Sequence, residues 1–150
     1  MTKYILVAAL LAATATSAAS ETIKYECTFA EGKLRRPTPT RVVFSVDPYS
    51  QYGELEAVEI PGVRTSVGPI KVVRNNLNVL SVEWSGQGYE FTAETKEGGG
   101  LQASPYLNVD FLRHRFSVFL KKRHLKANVR SESIGHRPLS GHSSGTCNQL

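Results

Sequence analysis

The chain has 150 residues, 41% of them hydrophobic and 21% charged, with 18 Lys and Arg against 13 Asp and Glu for a formal net charge of +5. A chain of that length builds one hydrophobic core and no second one of any size. The arithmetic excludes a multidomain enzyme, and the leader and the absence of a later apolar span exclude an integral membrane protein and a cytosolic nucleic-acid binder.

The first element is a leader. Lys3 is the only charge before residue 20, and the apolar run Tyr4-Ile5-Leu6-Val7-Ala8-Ala9-Leu10-Leu11-Ala12-Ala13 is followed by small residues through Ser20. A basic start, a short apolar stretch and a small-residue exit predict a bacterial signal peptide over 1–19, cleaved near Ala19 or Ser20. The run is too short to span a bilayer, so the mature protein is expected in the periplasm or outside the cell, without a transmembrane segment. Loss of Lys3 leaves 17 positive charges against 13 negative, a mature balance of +4.

Period-two alternation then dominates. Ile23, Tyr25, Cys27 and Phe29 alternate with polar residues, as do Val42, Phe44 and Val46, and later Tyr89, Phe91 and Ala93. Such alternation predicts strands with one face buried. Weaker strands are expected over 53–60, 69–74 and 77–84. The punctuation agrees, with Asn75-Asn76, then Ser85-Gly86-Gln87-Gly88, then Gly98-Gly99-Gly100 as turns. Residues 106–134 contain no Gly or Pro, yet they alternate and are read as three strands, around 107–111, 115–121 and 125–130, with Lys121 to His124 turning between the last two. The expected fold is all-β: an antiparallel meander of eight or nine short strands forming a small barrel or sandwich over 20–130. The Ser-, Gly- and His-rich residues 131–150 are expected to form an irregular strap.

Cys27 and Cys147 lie near the two ends of the mature chain, and an exported domain with an even cysteine count pairs them. Closing that loop stabilises the fold by roughly 4–5 kcal/mol in the chain-entropy picture.

Candidate chemistry is sparse. Gly141-His142-Ser143-Ser144-Gly145 matches the serine-hydrolase pattern, but only five residues follow it, none an acid or a histidine. The histidines His114, His124, His136 and His142 show no helical metal spacing. Glu54, Glu56 and Glu59, like Glu90 and Glu94, read as the wet faces of strands. No catalytic residue, cofactor or metal site is expected, and the chain reads as a binding protein rather than an enzyme. The strongest feature is a charge run: Arg113, Arg115, Lys121, Lys122, Arg123 and Lys126 place six cations in fourteen residues with no acid among them. As a hairpin over 113–130, it would present Arg115, Ser117, Phe119, Lys126, Asn128 and Arg130 on one outer face. That face would suit an anionic surface or acidic protein, or serve only as a solubilising edge. Nucleic acid would use the same charges, but export argues against it. The alternative is a carrier whose ligand cavity is lined by Trp84, Tyr89 and Phe91.

Tyr25-Glu26-Cys27-Thr28-Phe29 at the start and Ser144-Gly145-Thr146-Cys147 at the end, with the leader and the meander between, resemble small periplasmic β-barrel-like proteins of proteobacteria. The layout is also similar to that of periplasmic lysozyme inhibitors, compact β-barrels with an early Tyr-x-Cys and a late cysteine. That resemblance implies enzyme inhibition as a further alternative. The chain departs from that group in lacking its Ser-Gly inhibitory loop, and from lipocalins in lacking an early Gly-x-Trp.

Overall fold

The alternating segments fold as twelve strands in a computed structural model that describes residues 21–32, 36–91, 94–95, 101–102, 114–134 and 140–150. In chain order they are β1 (Ile23–Phe29), β2 (Arg41–Val46), β3 (Tyr52–Glu59), β4 (Val63–Arg64), β5 (Gly68–Asn75), β6 (Val79–Ser85), β7 (Glu90–Phe91), β8 (Glu94–Thr95), β9 (Leu101–Gln102), β10 (His114–Lys121), β11 (Lys126–Ser133) and β12 (Ser140–Gln149). The leader over 1–19, the strand read around 107–111 and Arg113 lie outside the described residues.

Eight of these strands close a barrel in the order β1-β12-β11-β10-β6-β5-β3-β2, every pair antiparallel. Wall neighbours are successive wall strands in the chain, so the meander is up-and-down, and β12 pairing with β1 removes the last free edge. Alternation decides what faces inward. Tyr25, Cys27 and Phe29 of β1, Val42, Phe44 and Val46 of β2, Ile70 and Val72 of β5, Leu80, Val82 and Trp84 of β6, and Phe116, Val118 and Leu120 of β10 all fill the interior. Eight strands leave a lumen just wide enough for such side chains. β3 keeps both Leu55 and Val58 inside because the β2–β3 register slips between Val43 and Phe44, a bulge that turns the strand between them.

The C-terminal stretch corrects the expectation of an irregular strap. Residues 140–149 form the longest strand of the barrel, and 126–133 form the strand beside it. The barrel therefore runs to Gln149 rather than ending at 130. Gly is depleted in strands and Ser brings no apolar side chain, which hid an alternation written in small residues: Gly141, Ser143, Gly145 and Cys147 face inward while His142, Ser144, Thr146 and Asn148 face out. Small residues are required at this seam. A Cβ on Gly145 would lie 1.9 Å from the Thr28 carbonyl oxygen, and one on Gly141 would lie 2.8 Å from both the Arg36 carbonyl and Ser131 Oγ. Cys27 and Cys147 are direct cross-strand partners at the same seam and form the disulfide.

Residues 89–91 and 94–95 also depart from expectation. They leave the wall, because β6 pairs directly with β10, Trp84 opposite Phe116. β7 pairs instead with β4, and β8 with β9, as small two-stranded sheets. Alternation reports that one face is covered, but not which strand lies alongside.

The two ends of the barrel differ. Among the described residues, the connections 30–32, 36–40, 60–67 and 86–89 lie at one end, where Pro37, Thr38 and Pro39 are buried as a cap. At the other end the connections between described wall strands are the tight turns 47–51, 76–78 and 122–125, and β1 begins and β12 ends there.

Candidate anionic-partner interface

β10 and β11 form a hairpin in continuous register from His114↔Ser133 to Lys121↔Lys126. Because alternate residues of each strand fill the core, the intervening ones must face water, and Arg115, Ser117, Phe119, Lys126, Asn128 and Arg130 do share the outer face. Phe119 is 37% exposed opposite Asn128.

The charges on this face are not uniform along its length. Near the capped end Glu132 lies opposite Arg115 and forms an ion pair with Arg130. Glu132 falls outside the cationic run in the sequence, so the run alone overstated the charge of that half of the face. At the turn end nothing similar occurs. Lys121 stands directly opposite Lys126, with Lys122 and Arg123 in the turn between them. Among the described residues none of these four makes an ion pair with a carboxylate. Lys122 Nζ donates to Asn75 Oδ1 at 2.6 Å, and its backbone N–H donates to the Asn78 carbonyl at 2.9 Å. Desolvation in this position holds the Lys122 ammonium below the usual lysine range.

Like charges directly opposite on a strand pair oppose folding. The turn adds a second cost, since Leu125 sits at φ 51°, a left-handed conformation that L side chains other than Asn and Asp rarely adopt. It is held there from behind by Cys147, whose N–H donates to the Leu125 carbonyl at 2.7 Å.

The same end of the barrel carries exposed apolar groups that the charge pattern did not point to. Asn76 Oδ1 accepts from the N–H groups of Asn78 and Val79 at 3.0 and 2.8 Å, fixing a tight turn with Leu77 at its crest, 92% exposed. Tyr49, also 92% exposed, occupies the β2–β3 turn. A hollow of about 400 Å³ joins that turn to the end of β5, lined by Tyr49, Lys71, Val73, Arg74 and Asn75 among others. The sequence signal for Leu77 was an apolar residue inside Asn75-Asn76-Leu77-Asn78, where a turn gives it nothing to pack on.

The wall across the barrel is built differently. Lys24 pairs with Glu56, and Arg41 bridges Glu26 at 2.6 Å and Glu59 at 2.8 Å. The Lys24 hydrogen bond holds the Glu56 carboxyl below its usual range, and hydrogen bonds to Glu26 and Glu59 raise Arg41.

The aromatic group read as a cavity lining forms a stacked cluster, and Trp84 also borders two hollows of about 310 and 220 Å³, the first shared with Lys71, Glu83, His114 and Arg115 and the second with Leu55, Ser66 and Gln87. Trp84 Nε1 donates to Tyr89 Oη at 2.6 Å, and both rings lie on Phe116, at centroid distances of 5.6 and 5.5 Å. Trp84 and Tyr89 are 6% and 5% exposed. Burial pushes the Tyr89 phenol up to about 12. Of Phe91 only the backbone pairing with Val63 is described. His114, buried beside this group, lies 6.1 Å from Phe116. Ser143 lies in mid-strand opposite Val129, facing inward, and its Oγ donates to the Ala30 carbonyl at 2.6 Å. The sharp strand-to-helix elbow that exposes a hydrolase serine is not the geometry here. Among the described residues no group of three or more His, Cys, Asp or Glu converges on a point that would hold a metal ion.

Comparison with protein-family models, with curated proteins and with solved structures gives no match to this chain.

Proposed function

We propose that the protein is an exported, non-catalytic binding module that engages an anionic partner through the turn end of the β10–β11 hairpin. The observation carrying this reading is the like-charged pair Lys121 and Lys126, with Lys122 and Arg123 between them and no carboxylate paired to any of the four among the described residues. A sheet edge needs cations to discourage strand addition, but β10 and β11 are both interior to a closed wall, so edge protection does not account for them. A field of one sign at one end of a small domain attracts and orients an anionic partner, most strongly at low ionic strength. The disulfide suits an oxidising compartment, in keeping with the leader.

Elution from a heparin matrix in a salt gradient tests the reading. Two doubly substituted proteins of equal net charge are compared, Lys122→Gln/Arg123→Gln at the turn end and Arg36→Gln/Arg64→Gln at the capped end. The wild type and the capped-end variant are expected to be retained at low salt, and the turn-end variant to elute markedly earlier. Flow-through of the wild type at low salt, or equal elution of the two variants, contradicts the proposal.

A further inference from the structure

The barrel wall has its apolar residues inside and its charges outside, the reverse of a membrane-spanning barrel, whose lipid face is apolar. The turn end is the exception. There, Leu77 and Tyr49 stand out from two separate turns, with no core to cover either one, and Val73, half exposed, borders the hollow between the Tyr49 turn and the end of β5. The β5–β6 turn that carries Leu77 is tied to the cationic turn by both hydrogen bonds of Lys122. Apolar tips and cations that pair with no carboxylate among the described residues thus occupy one rim.

From this juxtaposition we infer that the turn end of the barrel seats on an anionic phospholipid bilayer, with Leu77 and Tyr49 entering the interface and Lys121, Lys122, Arg123 and Lys126 meeting the lipid phosphates. The inference rests on the anionic-partner reading and names the partner. Charge complementarity selects an anionic surface. The apolar tips then discriminate among anionic surfaces, since a polysaccharide or an acidic chain offers no apolar layer beneath its charges. A bilayer does, and it accepts isolated tips without a matching pocket. A tyrosine suits the headgroup level, with its ring in the apolar region and its hydroxyl in water. The Asn76 side chain fixes the Leu77 turn in advance, so little ordering is required at contact. No new element crosses the bilayer, and among the described residues no helix is long and apolar enough to do so.

Co-sedimentation with vesicles tests this, using phosphatidylcholine alone and phosphatidylcholine mixed with phosphatidylglycerol, alongside elution from heparin. The wild type is expected to bind the mixed vesicles and not the neutral ones, and to be released by salt. Leu77→Ser, at a site with no core contact to lose, is expected to weaken vesicle binding about tenfold, as the lost burial of one leucine implies, and to leave heparin elution unchanged. Lys122→Gln/Arg123→Gln is expected to weaken both. In Leu77→Trp, brominated lipids are expected to quench the added indole, while Trp84 stays shielded in the core. Retention on heparin without vesicle binding overturns the bilayer and leaves the anionic-partner reading standing. Failure on both matrices removes both. Unchanged vesicle binding by Leu77→Ser, or an unquenched Leu77→Trp, overturns the insertion of the rim.

Discussion

The β12–β1–β2–β3 side of the barrel and the turn end of β10 and β11 use the same ingredients to opposite effect. On the first, cations meet carboxylates, with Lys24 on Glu56 and Arg41 between Glu26 and Glu59, and a disulfide ties the two strands of the seam. On the second, Lys121 faces Lys126 and a leucine takes a left-handed conformation at the turn. Both features of the turn end work against folding. They persist only because the surrounding barrel, including the Cys147 N–H that holds Leu125 in place, is stable enough to impose them. One wall pairs its charges and carries the disulfide, whereas the other carries charge that folding does not need, and that is where a binding surface is to be sought.

The largest change in stability is expected at the seam. A Cys27→Ala/Cys147→Ala protein is expected to lose about 4–5 kcal/mol in urea unfolding, since the bond closes a sequence separation of 120 residues. Where it remains folded it should still elute from heparin at the wild-type salt concentration. A shift in that elution would mean that the two regions are not separate.

The interior between the two walls gives the next effect. Tyr89 stays neutral up to about 12 in the folded chain, against the usual 10.0 for a phenol. A folded-state value raised in this way leaves stability intact below pH 10 and removes it as the pH climbs toward 12, by about 2–3 kcal/mol once both states are ionised. Tyr25, also raised by burial, adds to the trend. Unfolding midpoints measured across that window should fall, and Tyr89→Phe, less stable at neutral pH for want of the Trp84 hydrogen bond, should show a shallower fall. An identical slope in the variant would mean that Tyr89 is not buried as described.

The smallest stability change is expected at the turn end. Lys122→Gln/Arg123→Gln should leave the urea midpoint within about 0.5 kcal/mol of wild type, since among the described residues neither side chain pairs with a carboxylate and Lys122 Nζ has a single exposed hydrogen bond to Asn75, while moving heparin elution more than any change on the opposite wall. A large loss of stability in that variant would make these side chains structural and dissolve the contrast.

Much of this architecture was legible in the sequence wherever inward residues are large. Tyr25, Cys27 and Phe29, or Phe116, Val118 and Leu120, declare both strand and inward face by period alone. β12 was illegible for the complementary reason. Its inward positions are Gly, Ser, Gly and Cys, with Gly145 confined by the backbone of Thr28 and the ring of Phe29 and Gly141 by the Arg36 carbonyl and Ser131, and a missing side chain carries no hydrophobic signal. The hairpin and its outer face were readable, as was the pairing of Cys27 with Cys147. The gradient of charge along that face was not, because Glu132 cancels Arg130 across two residues of one strand and lies opposite Arg115 on the next. Leu77 joins the site only through the adjacency of the β5–β6 turn and Lys122, which are 47 residues from each other in the chain at their contact.

If the turn-end cations are kept for binding at some cost to folding, Lys121→Glu alters both properties at once. The substitution replaces a repulsive cross-strand pair with an attractive one opposite Lys126. Measured together by urea unfolding and heparin elution, the variant is expected to be more stable than wild type by about 0.5 kcal/mol or somewhat more and to elute at distinctly lower salt. A variant that is no more stable and elutes unchanged would contradict the account, because Lys121 would then neither oppose folding nor serve binding.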